Sequence, residues 1–374
     1  MNKRDEINAK VDRLVEMLAA KNLGGALIGS QPNFSWLSAG GSNGIDLSRE
    51  TGAGALFVRN DGKRFVLANR IEIQRLLDEE LIETDFEPVE FGWEEEKASA
   101  AFFGLRTRRL LDDNSAIGSD IYSGPGVVPL ESELARCRYQ LTESEIERLR
   151  ALGSDASEAI VKLAHELQPG EPEQQVARRV ADGLAVHNIR SIVTLVAADD
   201  RISKYRHPVP TSQRWQHAVM IVVGAQRGGL ITSFTRIVHH GTIPDDLRRR
   251  TEAAAQVNAQ LLAATKPGAS GADLFKLAAQ TYASEGFANE ERLHHQGGAT
   301  GYRTRDWVAH PASNERVQLH QAFAWNPSVT GTKVEETCIA FADGVEVITG
   351  NAGWPQVSTR VDGREYLSPD ILQL

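Results

Sequence analysis

The chemistry-bearing side chains of this 374-residue chain gather in a few short stretches. In Phe323–Thr337 a neutral amide, Asn326, ends one apolar run. A pair of acids, Glu335 and Glu336, opens a second run that continues through Phe341. Acids on an apolar strand are costly to bury alone, so either a partner uses them or they lie at a wet mouth or strand edge. Ser233 and Thr235 alternate along another apolar run and therefore share one face, as site lining or as a polar cross-strand pair. Histidines stand at His207 before Pro208, at His239-His240 before Gly241, and at His294-His295 ahead of Gly297-Gly298. Imidazole both accepts and donates protons near neutrality. The ordinary alternatives are a surface or capping role for His207 and a strand end for His239-His240.

The elements that must position these groups fall into two sets. Helical spacing of Ile7, Val11, Leu14, Val15 and Leu18 predicts an amphipathic first helix. A buried strand at 26–29 follows. Apolar runs at 54–58 and 64–68 flank an Asn60-Asp61-Gly62 turn and predict a hairpin. A helix over 71–81 and further strands to Tyr122 complete an α/β domain, placed at residues 1–134. Thr142 with Glu145 three residues on forms a capping box that starts a long helix. Helices over 173–187, 245–264 and 271–285, strands at 191–197, 218–223 and 230–235, and a hairpin-like unit from Phe323 make up a second domain, residues 135–374.

Composition narrows the function classes. The 41 basic and 50 acidic residues give a net charge of -9, spread along the chain, which argues against nucleic acid or an anionic membrane surface as partner. The charged start lacks an apolar leader, and no apolar run approaches the roughly 20 residues of a membrane span. Two distant cysteines, Cys137 and Cys338, outside any CxxC pattern, fit a reduced, cytoplasmic protein without a disulfide framework or thiolate metal site.

The order of elements and several local sequences resemble the creatinase/prolidase/aminopeptidase P family. The Ala26–Leu37 stretch resembles that family's N-terminal domain, and Gln168-Pro-Gly-Glu-Pro-Glu resembles the step between its first two catalytic-domain helices. The resemblance implies an α/β N-terminal domain followed by an α+β C-terminal domain of the pita-bread fold, in a homodimer. Family peptidases hold two metal ions with two Asp, one His and two Glu. In ungapped register through Arg236, the two Asp positions are Val222 and Ser233 here. The His position is Gly298, the first Glu is Asn326 before Pro327, and the last Glu is Glu335. Valine and glycine coordinate nothing, so no metal and no other cofactor is expected.

Creatinase, a metal-independent branch, supplies the remaining expectation. Arg206-His-Pro-Val209 resembles its catalytic histidine segment, which implies His207 as general acid/base and Glu335 as an electrostatic anchor for a substrate cation. The first creatinase glutamate falls at Thr235, which makes creatine itself a poor candidate. Ser233, Thr235, His295, Arg305, His310, Asn326 and Glu336 are expected to bind substrate. An arginine such as Arg305 suits bidentate pairing with a substrate carboxylate, so a small zwitterion fits. The leading expectation is a metal-independent hydrolase of a C–N or amide bond in a small molecule or short peptide. A catalytically inactive pita-bread protein that binds a peptide or partner comes second, and an Xaa-Pro metallopeptidase third.

Overall fold

The computed structural model describes residues 1–350 and 352–374. The chain divides into two compact units, Met1–Glu145 and Ile146–Leu374.

The first unit opens with α1 (Lys3–Lys21), capped by the Asn2 side chain, which accepts from the Asp5 N–H, and buried through Ile7, Val11, Leu14 and Leu18. Six strands form one sheet: β1 (Gly25–Ser30), β2 (Thr51–Arg59), β3 (Arg64–Asn69), β4 (Glu87–Phe91), β5 (Ile117–Ser119) and β6 (Val127–Pro129), in the order β4-β3-β2-β1-β5-β6. The Asp61-Gly62 turn joins antiparallel β2 and β3 as the sequence predicts, with Gly62 at φ 85°. The helix expected over 71–81 is instead a one-turn helix, Ile73–Arg75, followed by a π-helical stretch, Leu76–Glu80.

The boundary between units falls one helix later than the 134/135 expected. The helix α2 (Glu131–Tyr139) belongs to the first unit because it buries Leu134, Ala135, Arg138 and Tyr139. Arg13 Nη1 donates to the carbonyls of Cys137 and Gln140. The capping box is formed from both sides: the Thr142 N–H donates to Glu145 Oε2 at 2.8 Å and the Glu145 N–H to Thr142 Oγ1 at 3.3 Å. The other carboxylate oxygen of Glu145 takes the fully buried Lys10 Nζ at 2.7 Å. This buried charge pair secures the start of α3 (Glu143–His165) to the first unit.

In the second unit, α4 (Glu173–Ala185), α5 (Asp245–Ala264) and α6 (Gly271–Ser284) accompany two main sheets. One sheet holds β7 (Arg190–Ala198), β8 (Ala218–Arg227) and β9 (Leu230–His239). The other holds β10 (Gly297–Thr300), β11 (Trp307–Val308), β12 (Ala322–Trp325), β13 (Glu336–Phe341) and β14 (Gly344–Val347), in the order β11-β10-β12-β13-β14. A two-stranded ribbon, β15 (Gln356–Val361) with β16 (Arg364–Pro369), precedes β17 (Ile371–Gln373), which lies parallel to β9 at the edge of the first of these sheets. The two runs of the Phe323 stretch pair antiparallel as β12 and β13, with Phe323 opposite Cys338 and Trp325 opposite Glu336. Glu335 thus stands at the entrance to β13 rather than within it. Trp325, Trp354 and Cys338 are buried packing residues.

Candidate functional site

Residues 235–236 of β9 run beside residues 335–336, and strand alternation sends each pair of side chains to opposite faces. On one face Thr235 Oγ1 donates to Glu335 Oε2 at 2.7 Å. On the other, Arg236 pairs with Glu336 at 3.0 Å, and Thr349 Oγ1 donates to Glu336 Oε2. Arg236 also stacks over Phe234 and Trp354, 5.0 Å and 5.6 Å from the ring centres. This corrects one expectation. Glu336 faces away from Glu335 and is committed to Arg236, so it ties strands together rather than lining the same site.

Glu335 itself is 2% exposed and fully engaged. Lys333 Nζ lies 2.8 Å from its Oε2, and Arg305 Nη2 lies 3.3 Å from its Oε1. Burial alone pushes the carboxyl up. The Lys333 and Arg305 charges, with hydrogen bonds from Lys333 and Thr235, overcome that and hold it at about 2. Burial pushes both Lys333 and Arg305 down, and Glu335 opposes it. Two basic side chains thus share one carboxylate. Glu335 therefore does not present an open carboxylate to a substrate amine, against the expected anchor role. Lys333 escaped the sequence reading because a lysine beside paired acids reads as an ordinary solvated side chain.

Next to this cluster lie three imidazoles. His207 and His294 face each other with Nε2 atoms 3.2 Å apart. The ring centres of His294 and His295 are 4.5 Å apart, and those of His207 and His295 6.1 Å. His207 is exposed, in the loop between the short helix Arg201–Lys204 and β8, whereas His294 is buried. Burial pushes His294 down to about 2, helped by Lys333 and the other two imidazoles. Burial, then Arg305 and Lys333, push His295 to about 4. His207 is lowered by burial and Lys333. All three are neutral at pH 7. The preceding Arg206 is paired with Glu290 at 2.7 Å and donates to Thr330 and Ser328, which positions His207. His294 is set by Gln296, whose Nε2 donates to the His294 carbonyl at 2.6 Å while its Oε1 accepts from Tyr282 Oη.

The remaining expected residues are distributed as follows. Ser233 is cross-linked to Thr337, whose Oγ1 accepts the Ser233 N–H and donates to the Ser233 carbonyl, both at 2.8 Å. Both bonds are made by the Ser233 main chain, not by its hydroxyl. Asn326 is 2% exposed, its N–H donates to the Gln296 carbonyl, and its Oδ1 is buried without a partner. His310 is exposed, and its ring accepts from the Ala312 N–H within its own turn. Nothing among the described residues joins it to the imidazole group.

The positions that the resemblance assigns to the family's metal ligands can be tested for fit. Gly298 pairs with Ala324 and Val308 inside the sheet, and a Cβ there would stand 2.0 Å from the Trp307 carbonyl oxygen. No side chain fits at that position without moving β11. Val222 is apolar, and the oxygens of Glu335 already hold two protein cations. These residues do not fit a dinuclear carboxylate-bridged centre. Among the described residues, the one group of three metal-competent side chains is His207, His294 and His295, with ligand atoms within 4.8 Å of one another. Lys333 and Arg305 beside it oppose a dication. The His295 Nδ1 accepts the Gly297 N–H at 3.3 Å, which leaves the proton of the neutral ring on Nε2, where a ligand lone pair would be needed.

Comparison with known proteins assigns the class. A model of metallopeptidase family M24 matches residues 147–349, more than half of the chain. The protein belongs to this family. Its architecture is an N-terminal α/β domain followed by a C-terminal pita-bread domain, and the family reading is that of a peptidase-like hydrolase. An Xaa-Pro dipeptidase from Bacillus anthracis superposes with a TM-score of 0.76 at 15% identity, covering 98% of this chain and 100% of that one. A prolidase from Pyrococcus horikoshii gives 0.75 at 17% identity, covering 92% and 98%. The N-terminal domain of the FACT complex subunit SPT16 from chickpea (Cicer arietinum) gives 0.66 at 11% identity, covering 92% and 96%. At such identities the likeness speaks for the fold. No curated protein matches the sequence significantly. No helix among the described residues is long and apolar enough to cross a membrane.

Proposed function

We propose that this protein is a metal-independent hydrolase of a C–N or amide bond in a small molecule, with His207 as the general acid/base. The observation that carries the reading is the His207–His294 pair: an exposed imidazole backed at 3.2 Å by a buried one, both neutral at working pH. A neutral His207 accepts a proton from water as the water oxygen bonds to the substrate carbonyl carbon. His207 then returns that proton to the nitrogen as the C–N bond breaks, so the proton count closes on the imidazole. His294 shares a proton across the Nε2–Nε2 contact and fixes the ring orientation. N–H donors of Lys333 and Arg305 stabilise the negative charge that builds on the carbonyl oxygen, a task that oriented donors perform well in a site of low polarity.

A second reading, a non-catalytic pita-bread protein that binds a peptide or protein partner, is favoured by one observation: the Glu335 cluster is sealed by its own cations. The homodimer and small-molecule substrate belong to the same proposal.

A screen of N-acyl amino acids and guanidino acids against chelator-treated protein tests both. Turnover that survives chelation and falls at least about a hundredfold in His207→Ala, the usual worth of a general acid/base, supports the hydrolase. Turnover that needs added Mn, Co or Zn overturns metal independence. No turnover of any candidate leaves the binding protein as the better reading.

A further inference from the structure

We infer that a second small-molecule site, apart from the imidazoles, lies where β8 begins and β9 ends, and that it takes a small apolar amine. The inference goes beyond the hydrolase reading and does not rest on it.

Three observations converge. The first is a pocket of about 420 Å³, within the size range of small-molecule sites. Ile202, Ala218, Ile237 and Leu247 line it with aliphatic surface. The first three belong to one buried core cluster, and Leu247 packs against that cluster, so this floor is preformed. His239 lines the pocket as well. It stands four residues beyond Thr235 on β9, on the same face and about 13 Å further along the strand. The pocket is therefore separate from the Glu335 cluster.

The second is its charge. Of the three carboxylate and guanidinium side chains that line it, Asp199, Asp246 and Arg250, two are acids. Asp246 is paired with Arg250 at 2.6 Å and with Arg249 at 3.2 Å. Asp199 has no ion-pair partner among the described residues. Its Oδ1 accepts the N–H groups of His217 and Ala218, and its Oδ2 accepts that of Gln216. A carboxylate has about four lone-pair sites, so one on Oδ2 is unused. The three main-chain donors hold the group in place for a ligand.

The third is an excess of acceptors. His239 Nδ1 lies 3.2 Å from the Gly241 carbonyl. A carbonyl only accepts, so the ring proton sits on Nδ1, and Nε2 of the neutral ring is an acceptor. Ser203, on the short helix Arg201–Lys204, adds a hydroxyl without a partner among the described residues. An ammonium brings three N–H donors to these acceptors, and an apolar body covers the aliphatic floor. An acid would find no such welcome, because Arg250 is committed to Asp246 and to the Thr330 carbonyl at 3.0 Å. Thr330 also lines the pocket, and its Oγ1 accepts from Arg206 at 2.8 Å, so the site abuts the frame that holds His207.

The test is calorimetric binding to the full-length protein at pH 7.5, with benzylamine as the probe, benzyl alcohol as its neutral analogue and benzoate as the anion. Benzylamine is expected to bind at least about tenfold more tightly than either, the range of one charge-assisted hydrogen bond. That preference should vanish in Asp199→Asn. All three ligands should lose binding in Leu247→Trp, which fills the pocket from a half-buried position on α5. His207→Ala, outside the pocket, should bind as the wild type does. Equal binding of amine and alcohol, tighter binding of benzoate, or no binding of benzylamine at millimolar concentration overturns the inference. Binding unchanged in Leu247→Trp, or lost in His207→Ala, also overturns it, since the amine then sits elsewhere. Where Asp199→Asn fails to fold, the wild-type preference and Leu247→Trp decide. None of these outcomes bears on the hydrolase reading, which stands or falls on turnover.

Discussion

The sharing of one carboxylate by two basic side chains makes Glu335→Gln the most informative single substitution. Glutamine is nearly isosteric and keeps an acceptor for Thr235 Oγ1, but it removes the anion from between Lys333 at 2.8 Å and Arg305 at 3.3 Å. Two basic groups, both pushed down by burial, then remain in the site without a carboxylate. Removing one partner of a buried pair costs about 3–5 kcal/mol, and the second cation puts this case at the upper end. Lys333→Met acts differently. It leaves Glu335 paired with Arg305 and Thr235, so the loss of one contact is offset by no longer burying a second basic group. Its net effect is expected within about 1 kcal/mol of zero. Urea unfolding followed by circular dichroism at pH 7.5 measures both. In thermal scans, a domain of this size shifts by about 2–4 °C per kcal/mol, so Glu335→Gln should melt roughly 6–20 °C lower while Lys333→Met stays within a few degrees. If Lys333→Met is as damaging as Glu335→Gln, Lys333 is not a second, dispensable partner of Glu335 and the reasoning fails.

Other outcomes follow from the same geometry. His294 sits far below its unfolded value near 6.5, so the unfolded chain takes up a proton that the folded chain refuses as pH falls below about 6.5. Stability should decline there by about 1.4 kcal/mol per pH unit for each such proton, and His294→Asn should flatten the decline between pH 6 and 5. Glu335, held at about 2, adds a second loss only below its unfolded value of about 4.3, so Glu335→Gln should remove acid sensitivity between pH 4 and 3 alone. Gly298→Ala would place a methyl group 2.0 Å from the Trp307 carbonyl and should destabilise by about 1–3 kcal/mol or more through overpacking, read from the same urea curves. Thr142→Ala should cost about 1 kcal/mol by removing the cap at the start of α3, with no effect on ligand binding by the second domain.

Much of the fold was written in local patterns. The capping box at Thr142, the Asp61-Gly62 turn and the apolar spacing of α1, α5 and α6 specify their elements through short-range physics, and the structure has each of them. The π-helical stretch at Leu76–Glu80 was not legible, because its composition is that of an ordinary helix. The alternation of Ser233 with Thr235 correctly gave one shared face. What Glu335 meets on that face could not be read, since Arg305 is thirty residues away in the chain and its contact depends on tertiary packing. The same limit applies to Glu336, whose partner Arg236 lies a hundred residues earlier. Sequence resemblance found His207 as a candidate. The pairing that gives it a partner, His294, becomes visible only when the loop before β8 and the approach to β10 are brought together.

Lys333 has a consequence for how such a protein would live in a cell. A cation carried on a side chain is translated with the chain, so it is present at full occupancy in every molecule. On the proposed metal-independent reading there is no loading step, nothing for a chelator to strip, and no mis-metallation when zinc or manganese supply changes. The exchange is chemical as well. An ammonium carries one charge where a divalent ion carries two, has no open coordination position, and cannot turn bound water into hydroxide. In the proposed hydrolase, activation of water would come from an imidazole, and activity would follow ambient proton concentration rather than metal supply.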